Sequence, residues 1–168
     1  MTKSKRWVTG VLALAMTAGL CLGEDVTAAK YYKLEFVVKE VGNGAKVLNS
    51  RTYSTMVATG KDSHGEIRAG SKVPYNVAAG QYQSMDLGVS IDLRAIEEVQ
   101  DRFTFFIVAD ISSVAEPSSE LTRPPAIRQQ KWSSSVIVPL KKATLLFSSE
   151  NLDAKTQMQL EVTATPIP

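Results

Sequence analysis

Met85-Asp86-Leu87-Gly88-Val89-Ser90-Ile91-Asp92-Leu93 alternates without a break between apolar and small or charged residues. In an extended chain Met85, Leu87, Val89, Ile91 and Leu93 share one face, and Asp86, Gly88, Ser90, Asp92 and Arg94 share the other. A strand with one oily and one polar face belongs in an antiparallel sheet packed on one side only. Just upstream, Gly70-Ser71-Lys72-Val73-Pro74-Tyr75 reads as a second strand, and it carries a proline. Proline cannot donate to a ladder, so this strand is expected at a sheet edge or near a strand end.

Working outward, the period of two persists. Tyr32, Leu34, Phe36 and Val38 face one way, and Gly42-Asn43-Gly44 supplies residues that tolerate positive φ in a hairpin. Residues 47–58 are rich in β-branched and aromatic side chains, and residues 60–65 form a polar turn. Glu97 to Asp101 reads as another polar turn, with Glu97 and Glu98 solvated. Phe103 to Ala109 is apolar on both faces and reads as the most buried strand. Ala115 to Ala126, with Pro117, Pro124 and Pro125, is irregular. Strands follow around 132–138 and 143–148, turning through Pro139 to Lys142. The last, Thr156 to Thr165, directs Met158, Leu160, Val162 and Ala164 inward. No repeat, heptad or interior helix interrupts this pattern. The expected fold is all-β: an antiparallel β-sandwich or open barrel-like sheet of about eight strands.

The amino terminus reads as an export signal. Lys3, Lys5 and Arg6 precede the apolar run Val11 to Leu22, which is short of the roughly 20 residues a membrane span needs. Val26-Thr27-Ala28 suits cleavage after Ala28, with Gly23 as the competing site. Cys21 is the only cysteine, but the bulky Leu20 before it argues against lipidation. Residues 1–28 are therefore expected to be a cleaved signal peptide and 29–168 a single all-β domain without cysteine, held by its core and not by disulfides. The whole chain has 19 basic and 17 acidic residues; the signal removes three and two, leaving 16 against 15. So even a balance gives no electrostatic case for nucleic acid or for an anionic membrane surface.

Gly70 to Tyr75 and Leu87 to Leu93 also carry a family resemblance. They are similar to the "G-x-x-x-P-Y" and "G-V-x-L-x-V" strands of the C-terminal β-domain of secretins, the ring-forming outer-membrane channels of bacterial secretion and pilus systems. Phe103 to Val114, with Ser112-Ser113-Val114, resembles the family's next strand. Pro125-Ala126-Ile127-Arg128 resembles its "P-x-I-x-x-R" loop, and Ser135 to Leu140 with Leu145 to Ser148 its closing hairpin. Leu160 to Ile167 is similar to the "L-x-v-x-v-T-P-x-I" ending. The resemblance covers about the last 100 residues. It implies an exported protein, periplasmic or outer-membrane associated; no constellation of residues supports catalysis, so no enzyme is expected. The strands read from the sequence are short for a gate and a double-walled barrel, so a short stand-alone module is implied in place of a pore. It would act by protein–protein association, with a partner or with itself, in the setting of secretion or pilus machinery, and any membrane association would be indirect.

Candidate chemistry is sparse. His64, the only histidine, lies in a turn beside Asp62 and Ser63, and neighbours on a turn cannot point at one another as a triad requires. With no second histidine and no spaced acidic loop, neither a metal nor any other cofactor is expected. Asp86 and Asp92 share a strand face, but six residues at about 3.3 Å each separate them by roughly 20 Å, too far for paired glycosidase carboxylates. Tyr32 and Trp132 fall on inward positions. Tyr75 and Tyr82 flank the Ala78-Ala79-Gly80 turn and are the aromatics best placed for a glycan platform, which would make this a secreted ligand-binding sandwich. The candidate interaction surface is Lys72, Pro74, Tyr75, Asn76 and Tyr82 on the proline-bearing hairpin, with Pro124 and Pro125 on the irregular segment.

Overall fold

The protein is described by a computed structural model covering residues 28–78, 81–114, 126–151 and 156–168. The expected signal peptide, Pro124 and Pro125 lie outside the described residues, and the side chains of 76–78 are likewise not described. Eight strands run in chain order: β1 (Tyr31–Val41), β2 (Val47–Ala58), β3 (His64–Ala78), β4 (Gln81–Val99), β5 (Arg102–Val114), β6 (Ile127–Pro139), β7 (Thr144–Asn151) and β8 (Thr156–Pro166). They form two four-stranded antiparallel sheets, ordered β2-β1-β8-β7 and β3-β4-β5-β6. The second sheet is an uninterrupted meander. The first is assembled from the two ends of the chain, with β8 returning to pair with β1 from Tyr32 opposite Pro166 to Val41 opposite Gln157.

The inward faces of both sheets meet in one core. Tyr32, Leu34 and Phe36 of β1, with Leu160, Val162 and Ala164 of β8, pack against Ile91 and Leu93 of β4 and Phe103, Phe105 and Ile107 of β5. Burying each large member contributes about 1.5–3 kcal/mol. Phe103 lies at its centre, its ring 4.7 Å from that of Tyr32 and 5.7 Å from that of Phe105. Trp132 is half-buried and rests on Phe147 at 5.7 Å, as its inward position requires.

Three sequence expectations need correction. β5 is not buried on both faces: Phe103, Phe105, Ile107, Ala109 and Ile111 point inward, whereas Phe106 is 37% exposed on the outer face. The five-residue polar turn at 97–101 is only Gln100-Asp101, both with positive φ (50° and 60°), the conformation of a two-residue primed hairpin turn. β4 runs to Val99 because a bulge at Ala95 (φ 51°) adds one residue between the pairs Arg94–Phe106 and Glu97–Thr104. That bulge turns Ile96 fully inward, and the Ser63 hydroxyl occupies the break, accepting from Ile96 N–H at 2.7 Å and donating to the Gly60 carbonyl at 2.6 Å. Finally, the strands are not short. β4 has 19 residues and β3 has 15, because the regular pattern at 85–93 is continued across positions whose side chains do not alternate.

Candidate functional site

The distinctive feature is the β3–β4 hairpin. β3 is the outer strand of its sheet, the first of the two positions Pro74 allowed, and it pairs with β4 from His64 opposite Arg94 to Ala78 opposite Gln81. β4 is itself paired with β5 only from Val89 to Val99. Residues 71–78 and 81–88 therefore continue as a two-stranded ribbon past the last ladder pair with β5.

Two glycines mark the parting. Gly70 and Gly88 stand opposite one another. A methyl group on Gly88 would come within 2.1 Å of the Ala69 carbonyl oxygen and 2.5 Å of the Gly70 Cα. One on Gly70 would meet the Leu87 oxygen at 2.3 Å. Gly88 also has φ of 148°, a conformation L side chains avoid. Its N–H, instead of joining the ladder, donates to the Ser112 hydroxyl at 3.0 Å, which in turn donates to the Gly88 carbonyl at 3.4 Å. Both backbone groups of Gly88 thus point towards β5. In an antiparallel ladder the residue opposite then directs its own groups the other way, so Gly70, Lys72 and Asn76 present backbone groups to the open edge. Pro74 falls in the same register, where its missing N–H costs β4 nothing.

The candidate surface residues separate by face. Lys72 and Pro74, opposite Asp86 and Ser84, stand on the outer face with Tyr82, which is 72% exposed and has Asn76 as its backbone register partner. Tyr75 pairs with Gln83 and stands on the opposite face, its hydroxyl donating to Gln83 Oε1 at 2.8 Å. The two tyrosines therefore do not form one stacking platform. On the outer face, the bare glycine pair floors a cavity of about 510 Å³ walled by Arg68, Lys72, Asp86, Asp110 and Ser112.

The other sequence candidates are occupied or isolated. His64 is the exposed first residue of β3, with only the Asp62 carbonyl near Nδ1 at 3.5 Å. Asp92 accepts from Arg68 Nη2 at 2.6 Å, and Asp86 lies 3.7 Å from Lys72 Nζ. Among the described residues no group of three or more His, Cys, Asp or Glu could hold a metal ion.

A cluster that sequence reading missed joins the start of β1 to the end of β4. Glu98, read as a solvated turn residue, accepts hydrogen bonds from the buried Tyr32 hydroxyl and from Lys30 Nζ at 2.6 Å. The Lys30 hydrogen bond first, then that from Tyr32, holds the Glu98 carboxyl below the usual carboxylate range. Burial, reinforced by the bond to the Glu98 carboxylate, pushes the Tyr32 phenol well above its ordinary value. The bulge at Ala95 makes this possible by shifting the face on which Glu98 lies. No periodic pattern announces a bulge.

No protein-family model and no curated protein matches the chain. Solved structures do. The Salmonella SPI-1 type III secretion injectisome secretin InvG superposes with a TM-score of 0.58 at 8% identity, covering 84% of this chain and 66% of that one. InvG in the basal body with PrgH and PrgK gives 0.58 at 8%, covering 84% and 47%. The InvG secretin-domain β-barrel gives 0.57 at 8%, covering 84% and 64%. The fold is that of a secretin β-domain. The chain spans 47–66% of the length of these solved chains, and at this identity the likeness concerns architecture alone.

Proposed function

We propose that this is an exported, non-catalytic protein of the bacterial envelope whose secretin-like β-module works by protein–protein association along its open strand edges, in the setting of secretion or pilus machinery. The observation that carries the reading is the β3 edge, a 15-residue strand whose outer backbone groups continue onto a ribbon that leaves the body of the sheet. Such an edge is a template for an added strand. Among the described residues β2 and β7 are the outer strands of the other sheet, and β2 lies beside β3 while β7 lies beside β6. A second copy placed alongside can thus extend both sheets in one step, a head-to-tail contact. InvG, the solved neighbour, is a secretin found with PrgH and PrgK, which is in keeping with an associating role.

The test is the native mass of the exported protein, by light scattering after gel filtration, for the parent and for Lys72→Pro and Asn76→Pro. Each substitution removes an N–H that faces the open edge and not β4, so assembly weakens while the monomer stays folded. With near-zero net charge on the mature chain, association changes little with salt. If the proline variants assemble normally and Tyr75→Ala or Tyr82→Ala abolishes binding to a glycan array, a sugar-binding module takes the place of this reading. The same preparation reports the amino terminus: mass spectrometry is expected to find Ala29 first and no acyl chain on Cys21.

A further inference from the structure

Edge pairing lengthens a sheet without covering its faces. Because the two sheets bury their apolar faces against each other, each keeps one outward face, and these become the walls of any assembly built along the edges. We propose that both walls face water, so that the assembly is a soluble collar in an aqueous compartment and not a barrel embedded in a bilayer. This rests on the association reading above but makes a separate claim, about what surrounds the assembled module.

The wall of the first sheet is polar at its centre. Lys33, Glu35 and Lys39 of β1 stand beside Thr165, Thr163 and Gln159 of β8. Lys39 is bonded across to Glu161 at 2.6 Å. These residues belong to the two central strands, so no partner added at an edge can bury them. The apolar residues on this face leave its middle to charged and hydroxyl groups: Val37 and Leu145 lie on either side of Glu161, and the exposed Tyr31, Met56 and Ile167 gather at one end only.

The wall of the second sheet has the same character. Arg68 binds Asp92 at 2.6 Å across β3 and β4, and Asp110 and Lys131 are opposite each other on β5 and β6. Phe106, Val108 and Ile137 form a short apolar patch, yet Phe106 is opposite Arg94 and Val108 opposite Asp92. A transmembrane barrel needs an outward apolar band about 25 Å tall, made by alternate residues along every strand, and Lys or Arg within that band is destabilising. Neither wall carries one among the described residues. The solvated charges sit at mid-strand on both, where the bilayer centre would be.

The experiment uses the full chain exported from a Gram-negative host, with Cys21→Ala made in parallel so that an acyl tether is not mistaken for insertion. Cells are broken without detergent, and the recovered protein is sized and then mixed with phosphatidylethanolamine–phosphatidylglycerol vesicles for flotation. The expected result is an oligomer that stays in the aqueous fraction without detergent and remains at the bottom of the gradient. An oligomer of the Cys21→Ala chain that floats with the vesicles, or that holds together only in detergent, overturns the inference. If only monomer is found, the association reading fails, and flotation of that monomer still decides the walls: remaining in the aqueous fraction supports them as water-facing, floating overturns it.

Discussion

The alternating run from Met85 to Leu93 crosses a change of surroundings within β4. From Val89 to Arg94 the strand is held between β3 and β5, and Val89, Ile91 and Leu93, with Ile96 at the bulge beyond, are buried in the core common to both sheets. From Gln81 to Gly88 it has only β3 for a neighbour; Leu87 is buried, Met85 half-buried, and residues 81–84 are exposed. Alternation therefore specifies which face a residue occupies but not whether another sheet covers that face. The first half is scaffold and the second is available surface, and Gly88 with Ser112 is the point where one becomes the other.

The largest effect belongs to the scaffold half. Val89→Asp places an unpaired charge in the core and is expected to cost on the order of 4 kcal/mol or more, comparable to the whole stability of a marginal domain. Urea unfolding measures it; a midpoint close to that of the parent would mean the register is off by one residue.

At the boundary, Gly88→Ala must force apart the Ala69 and Gly70 backbones and hold a φ suited to glycine. A cost of about 2–4 kcal/mol is expected. Hydrogen exchange should locate the loss of protection in residues 71–88 while β1 and β8 keep theirs. Uniform loss along the chain would show that scaffold and ribbon are one cooperative unit.

Tyr32→Phe sharpens the comparison from the far end of β4. It removes a hydrogen bond to the Glu98 carboxylate and is expected to cost about 1–3 kcal/mol near neutral pH. The pH dependence has a defined sign. Because the folded-state phenol is raised, its contribution is complete below the ordinary tyrosine value of about 10 and is lost as the pH climbs past it. Glu98 is lowered, so its contribution is complete above the ordinary carboxylate value of about 4.3 and is lost on acidification. The variant should show a flatter alkaline limb in a series of thermal melts; parallel limbs for the two proteins would contradict the pairing.

The smallest effect is Asp92→Asn on the outer face. Its bond to Arg68 is well formed but solvated, and less than about 1 kcal/mol is expected. A loss as large as that of Val89→Asp would place Asp92 inside and invert the face assignment of the whole strand.

Much of this architecture is legible in the sequence. The inward sets of β1, β4 and β8 follow directly from a period of two, because a half-buried strand must alternate. Pro74 marked β3 as an edge strand or a strand end, because a residue without an N–H cannot donate to a central ladder, and β3 is an edge. The candidate surface was partly legible for the same reason. What escaped was irregular: the bulge at Ala95, the two-residue turn at Gln100-Asp101 and the exposure of Phe106. Each arises where a residue breaks the period or where a neighbouring element fails to cover it.

By itself the sequence determined that this chain is all-β and which side chains of β1, of β8 and of the 85–93 run of β4 turn inward. Those are local matters, decided by backbone sterics and by the partition of apolar surface from water. Only the tertiary structure decided that the strands divide four and four, that β8 closes onto β1, and that half of β4 is left without a second neighbour. Strand pairing joins residues far apart in the chain, and no local pattern states which edge another strand will meet. The bond from Tyr32 and Lys30 to Glu98 belongs to this second class, since 66 and 68 residues separate the partners and only the bulge brings them together.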